Sequence, residues 1–259
     1  MKAAIRLLAA LPALWVAACV TTSTGSGATT PGQVNAISAA GYNLQLGYAY
    51  MEQGNLSQAQ KKLDKAQLEN PADAHVRSAQ GVLAERLGND KLAESEYKTA
   101  IAMAPKDAEV VNAYAVYLCH KGRTDAGVKY FDAAATNGLY STPWAALTNA
   151  GVCLHRAGRD AEAQTHFERA LMLQPSYGEA VLELSGLKLA QKDPATAYRY
   201  VDGFLTTHTA TPEILFNGWL AARALNDATN GERYAKRLQS EFPASDQAHR
   251  VVAVAPGTG

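Results

Sequence analysis

Asn43-Leu44-Gln45-Leu46-Gly47-Tyr48-Ala49-Tyr50, followed by Gly54, Ala59, Leu63, Ala66 and Pro71, is a phrase that the chain writes four times between Ala40 and Tyr177. A turn glycine recurs at Gly54, Gly88, Gly122 and Gly158, at spacings of 34, 34 and 36 residues. A small residue precedes it each time, at Gly47, Gly81, Ala115 and Gly151. Large residues follow at Leu63, Tyr97, Phe131 and Phe167, and alanines at Ala66, Ala100, Ala134 and Ala170. Each period holds two short amphipathic helices joined at the glycine, and such a pair buries its apolar face only when a neighbour stacks on it. The small column lets the paired helices approach, and the large column fills the space between units.

A 34-residue period with these columns resembles the tetratricopeptide repeat, which implies an all-α fold, an α-α superhelix. The units fall near residues 40–73, 74–107, 108–141 and 144–177, with weaker copies at 178–211 and 212–245, about six in all. Unit three carries Leu139 where the others carry proline, and the next unit starts two residues late. Residues 137–143 are therefore expected to form a longer loop, either a plain insertion or a contact loop. In unit five Lys192-Asp193-Pro194 replaces the turn glycine, and in unit six the small-residue column falls on Trp219. Residues 246–259 show no period and are expected to be a disordered tail.

The chain has 259 residues, with Lys plus Arg and Asp plus Glu both 24, so its formal charge is zero. Charges alternate along the helices, as in Glu85-Arg86 and Asp90-Lys91. No basic face is legible, and a nucleic-acid partner is not expected. The first 18 residues differ: Lys2 and Arg6 open a cationic start, and an apolar stretch runs from Leu7 to Ala18. That stretch is shorter than the roughly 20 residues of a spanning helix and reads as a secretory signal. Its end, Val16-Ala17-Ala18-Cys19, resembles a bacterial lipobox, which implies lipidation at Cys19 and, with Val20 next, an outer-membrane address. Residues 19–39 are rich in Thr, Ser, Gly and Ala and are expected to be a flexible tether, with an end-to-end distance of roughly 25 Å.

No constellation with an enzymatic context is present, and neither a catalytic residue nor a cofactor is expected. Cys119-His120 and Cys153-Leu154-His155 lie on the first helices of neighbouring units. A disulfide between Cys119 and Cys153, a zinc site and two buried thiols are the competing readings, with no metal expected because the usual close Cys-Cys spacing is missing. Binding is better supported. The first helix of each unit lines the concave surface in tetratricopeptide folds, which by resemblance points to Leu44, Tyr48, Met51, Val82, Val116 and Val152 as a partner-binding groove. Ser78, Glu85, Asn112, Cys119, Thr148 and His155 project to the same surface. A wall of Leu, Tyr, Met and Val suits an amphipathic helix or an extended apolar peptide.

The full arrangement of lipobox, tether and repeats resembles the PilF/PilW family of type IV pilus outer-membrane lipoproteins. Two phrases carry the likeness further, Leu46-Gly47-Tyr48-Ala49-Tyr50-Met51-Glu52-Gln53-Gly54 in the first unit and Leu238-Gln239-Ser240-Glu241-Phe242-Pro243 in the last. The resemblance implies a pilotin: a monomeric, non-catalytic, lipid-anchored protein on the periplasmic face of the outer membrane, whose partner is the type IV pilus secretin subunit. An alternative is an outer-membrane adaptor of the same repeat class serving β-barrel assembly or a cell-wall hydrolase.

Overall fold

The computed structural model describes residues 31–254. Within them the chain forms thirteen α-helices and, among the described residues, no strand. The first helices of the six units are α1 (Pro31–Glu52), α3 (Ala74–Arg86), α5 (Ala108–His120), α7 (Pro143–Arg156), α9 (Gly178–Ala190) and α11 (Pro212–Ala224). The second helices are α2 (Leu56–Glu69), α4 (Asp90–Met103), α6 (Thr124–Ala135), α8 (Asp160–Leu173), α10 (Pro194–Leu205) and α12 (Ala228–Glu241), and α13 (Asp246–Val254) follows.

Units one, two, four and six are closed by the same contact. A Cβ added at Gly47 would stand 2.5 Å from Leu63, one at Gly81 3.1 Å from the Tyr97 ring, and one at Gly151 would overlap the Phe167 ring. A large side chain of the second helix thus rests directly on the backbone of the first, sixteen residues earlier. Leu63, Tyr97, Phe131 and Phe167 are all at most 2% exposed. They also serve the space between units, since Leu63 shares a cluster with Ala79 and Leu83 of the next one.

The turns are as regular as the packing. Gly54, Gly88, Gly122 and Gly158 have φ between 69° and 75°, the left-handed conformation that ends a helix cheaply only for glycine. The bond that closes this turn recurs, from Asn55 N–H to the Tyr50 carbonyl and from Asn89 N–H to the Ala84 carbonyl, each 2.8 Å. Lys192 and Asn226 take the same conformation at φ 59° and 57°. Units five and six therefore keep the turn without the glycine. Asp193 and Asp227 then cap α10 and α12 with their side chains, accepting from the Thr196 and Asn230 amides.

Four expectations need correction. The sixth small column is Gly218 and not Trp219: a Cβ on Gly218 would meet the Tyr234 ring at 2.8 Å. A tryptophan cannot fit beneath an aromatic ring, so both helices shift by one position and the separation of sixteen is kept. Trp219 instead stacks on Phe216 at 5.3 Å, with the Arg223 guanidinium 4.8 Å over its ring. Secondly, α1 starts at Pro31, so residues 31–39 of the expected tether are helical. Proline suits the first turn of a helix, and a short Ala- and Ser-containing stretch extends a helix already nucleated by packing. Thirdly, residues 246–254 of the expected disordered tail form α13, whose Ala248 and Val251 are buried against Leu215, Phe216 and Tyr234 of the last unit. Spacing of three places both on one face, which covers an end that would otherwise meet water. The fourth correction, Met51, belongs to the groove and is taken up there. Residues 1–30, including the signal segment, Cys19 and the rest of the tether, lie outside the described residues, as do 255–259.

Residues 137–143 form an ordered loop. The Asn137 side-chain amide donates to the Lys106 carbonyl at 2.7 Å, and the Leu139 amide donates to Asn137 Oδ1 at 3.0 Å. Leu139 itself stands 96% exposed.

Two stability outcomes follow from these contacts. Gly151→Val should cost roughly 1–3 kcal/mol through overpacking against Phe167, read as a lower urea midpoint. Lys192→Gly should raise stability by about 0.5–1 kcal/mol by removing left-handed strain, and Asn226→Gly should change it less because asparagine tolerates that conformation.

Candidate functional site

The curvature follows from which helices touch. The backbones of consecutive first helices lie close together along the series from α1 to α11, and α11 with α13, whereas second helices reach one another only through side chains, as Arg169 of α8 does Asp132 of α6. The first helices therefore form the inner, concave wall.

Along that wall one column is open. Tyr48 is 39% exposed, and Val82, Val116 and Val152 are half-buried at the equivalent positions of α3, α5 and α7. Leu44 is half-buried beside them and packs against the core of unit one. Met51 differs from expectation: it is 1% exposed and sits in the core with Leu63 and Leu83. One turn beyond Tyr48 the helix face has rotated toward α3, so Met51 meets the next first helix and not the groove. Ser78 and Thr148 are buried as well, Thr148 Oγ1 donating to the Trp144 carbonyl at 2.9 Å. The side chains of Asn112 and Asn149 hydrogen-bond each other across the wall at 3.3 Å.

Cys119 and Cys153 are joined as a disulfide between α5 and α7, with their Cα atoms 5.6 Å apart. At the first junction the equivalent columns hold Met51 and Leu83, which meet in the core. The bridge thus occupies a position where the repeat elsewhere uses a packing contact, and it falls where the two-residue insertion interrupts the period. The joined sulfurs leave neither thiolate free for a metal. Among the described residues no group of three His, Cys, Asp or Glu side chains is placed to hold one.

The groove is less apolar than the sequence suggested. Glu85 pairs with His120 at 2.8 Å, and the Arg86 guanidinium binds the Met51 carbonyl and so caps α1. Burial, then the nearby Glu109 carboxylate, pushes the Tyr48 phenol up from its usual range. Burial, then Glu85, does the same more strongly to Tyr97, whose ring crosses Gly81 from behind. Further along, a cavity of about 210 Å³ is lined by Val116, Cys119, Val152, Arg156, Glu179 and Glu183, among others. Burial, followed by the Glu179 charge, raises the Glu183 carboxyl above the ordinary range, although His155 and Arg156 act the other way. Glu109, Glu179 and Glu183 were not singled out from the sequence. They lie outside the columns assigned to the wall, so repeat position alone would not have found them.

The fold defines a class. The chain belongs to the tetratricopeptide repeat family, whose profiles match residues 44–108, 91–142 and 144–177. Within that family it is similar to the type IV pilus assembly protein PilF of Pseudomonas aeruginosa, 27% identical over 202 residues, covering 78% of this chain and 80% of the relative. The solved structure of P. aeruginosa PilF matches with a TM-score of 0.65 at 26% identity, over 86% of this chain and 99% of that one. PilW, described as a widely conserved type IV pilus biogenesis factor, matches with a TM-score of 0.66 at 26% identity, over 82% and 98%. Both likenesses span most of this chain and nearly all of the other.

Replacing both cysteines, Cys119→Ser with Cys153→Ser, should lower stability by about 2–4 kcal/mol. Thermal melts of the variant and of the oxidised and reduced parent would check this. The reduced parent should melt with the variant.

Proposed function

We propose that this protein is a pilotin: it binds the type IV pilus secretin subunit and brings it to the outer membrane, where the secretin multimerises and the pilus leaves the cell. The observation that carries the reading is the likeness to PilF and PilW over most of the chain. Tetratricopeptide repeats mediate protein–protein contact, and the open column Tyr48-Val82-Val116-Val152 offers an apolar track suited to a peptide segment. On this reading the protein is not an enzyme.

The mechanism combines affinity with address. The groove shields a secretin segment that would otherwise aggregate, and the lipid on Cys19 fixes the complex to the outer membrane from its periplasmic face. A single acyl chain anchors weakly, whereas the several chains of a bacterial lipoprotein hold firmly. The lipobox resemblance supports this part.

Tyr48→Glu or Val82→Glu should weaken co-purification of the secretin by roughly tenfold or more while leaving the circular-dichroism melt unchanged, since neither side chain is fully buried. A Cys19→Ala strain should accumulate unassembled or mislocalised secretin. Normal outer-membrane multimers in that strain would exclude delivery by the anchor.

A further inference from the structure

The apolar track does not end in neutral surroundings. Beyond Val116 and Val152 it runs into Glu179 and Glu183, one helical turn apart on α9, and both line the same cavity as the two valines. Glu179 accepts a hydrogen bond from the Tyr177 hydroxyl at 2.6 Å. Glu183 is half-buried, and among the described residues no donor or cation bonds to it. Arg156 also lines the cavity, so two carboxylates there face one guanidinium. Its oxygens are not among the buried atoms that lack a partner, so they are open to water or to a cation brought by a ligand. At the other end Tyr48 has no such acid pair on its own helix, its charged neighbour Glu109 lying within 3.8 Å of His75.

We propose that the groove has a direction: it takes a segment whose apolar residues lie along Tyr48, Val82, Val116 and Val152 and whose lysine or arginine reaches Glu179 and Glu183. This rests on the groove being the partner site. The charge complementarity selects a cationic amphipathic segment over an acidic or purely apolar one, and it sets which end of the segment meets unit five. An arginine would suit best, because its planar fork can engage the two carboxylates while its stem lies on Val152.

The test uses the protein from residue 20 onward and two synthetic amphipathic peptides with identical leucines, one carrying two arginines at one end and the other two glutamates. The arginine peptide should bind about tenfold more tightly at low salt, with the difference shrinking as salt rises. Glu179→Gln with Glu183→Gln should abolish the difference, Glu183→Lys should favour the glutamate peptide, and Glu232→Gln on α12 should change nothing. Equal binding of the two peptides, or a preference that survives the double variant, would overturn the directional proposal. If Tyr48→Glu still weakens both peptides in that case, the groove remains the binding site and only its direction is lost. If Tyr48→Glu and Val82→Glu leave both peptides unaffected, the groove reading fails, and the proposal with it.

Discussion

Everything in this solenoid depends on a bulky side chain resting on a bare stretch of backbone. Where Gly47 meets Leu63 and Gly81 meets Tyr97, the two helices of a unit come as close as helices can. The same side chains reach on to the first helix of the next unit, as Leu63 does to Ala79 and Leu83. The backbones of the first helices are thereby drawn close to one another, while the second helices stand farther apart and meet through longer side chains. The concave wall, and with it any groove, is a consequence of that difference in spacing.

The constraint also explains what sequence could and could not reveal. In units one to four the small column, the turn glycine and the large column are all occupied by their characteristic residues, so the helices and their pairing were legible directly. In unit six the glycine column and the contact glycine no longer coincide. Counting from the turn leads to Trp219, but the contact is decided by what fits beneath Tyr234, and that is Gly218. Volume overrides register. Likewise Lys192 and Asn226 keep the left-handed turn because the neighbouring units already dictate the chain path, and the backbone accepts strain of about 1–2 kcal/mol where a glycine would avoid it.

The candidate site was legible in outline and not in detail, for a geometric reason. Residues three apart on a helix differ by about 60° in direction, enough to turn Met51 into the core while Tyr48 stays open. Sequence periodicity fixes a face to within about that angle. It cannot decide whether the edge of the face meets solvent or the neighbouring helix, because that depends on how far each unit is rotated against the next. The ends of the solenoid illustrate the same limit. Val251 and Ala248 form too short a pattern to signal a helix, yet the exposed flank of unit six makes that pattern worth ordering.

The formal charge of the chain is zero. Much of that balance is local, because cations and anions of adjacent units pair along the edges and outer helices, as with Lys121 and Asp90 at 2.6 Å or Arg123 and Glu94 at 2.9 Å. Such exposed pairs contribute little to stability, on the order of 0–1 kcal/mol each. What they do is balance charge locally. The charge of the groove is set by the few residues facing it, Glu179, Glu183 and Arg156, where partial burial makes each count for more than it would on the rim. Neutral composition and an acid-ended groove are therefore compatible, because a pairing rule that operates on the outside says nothing about the inside.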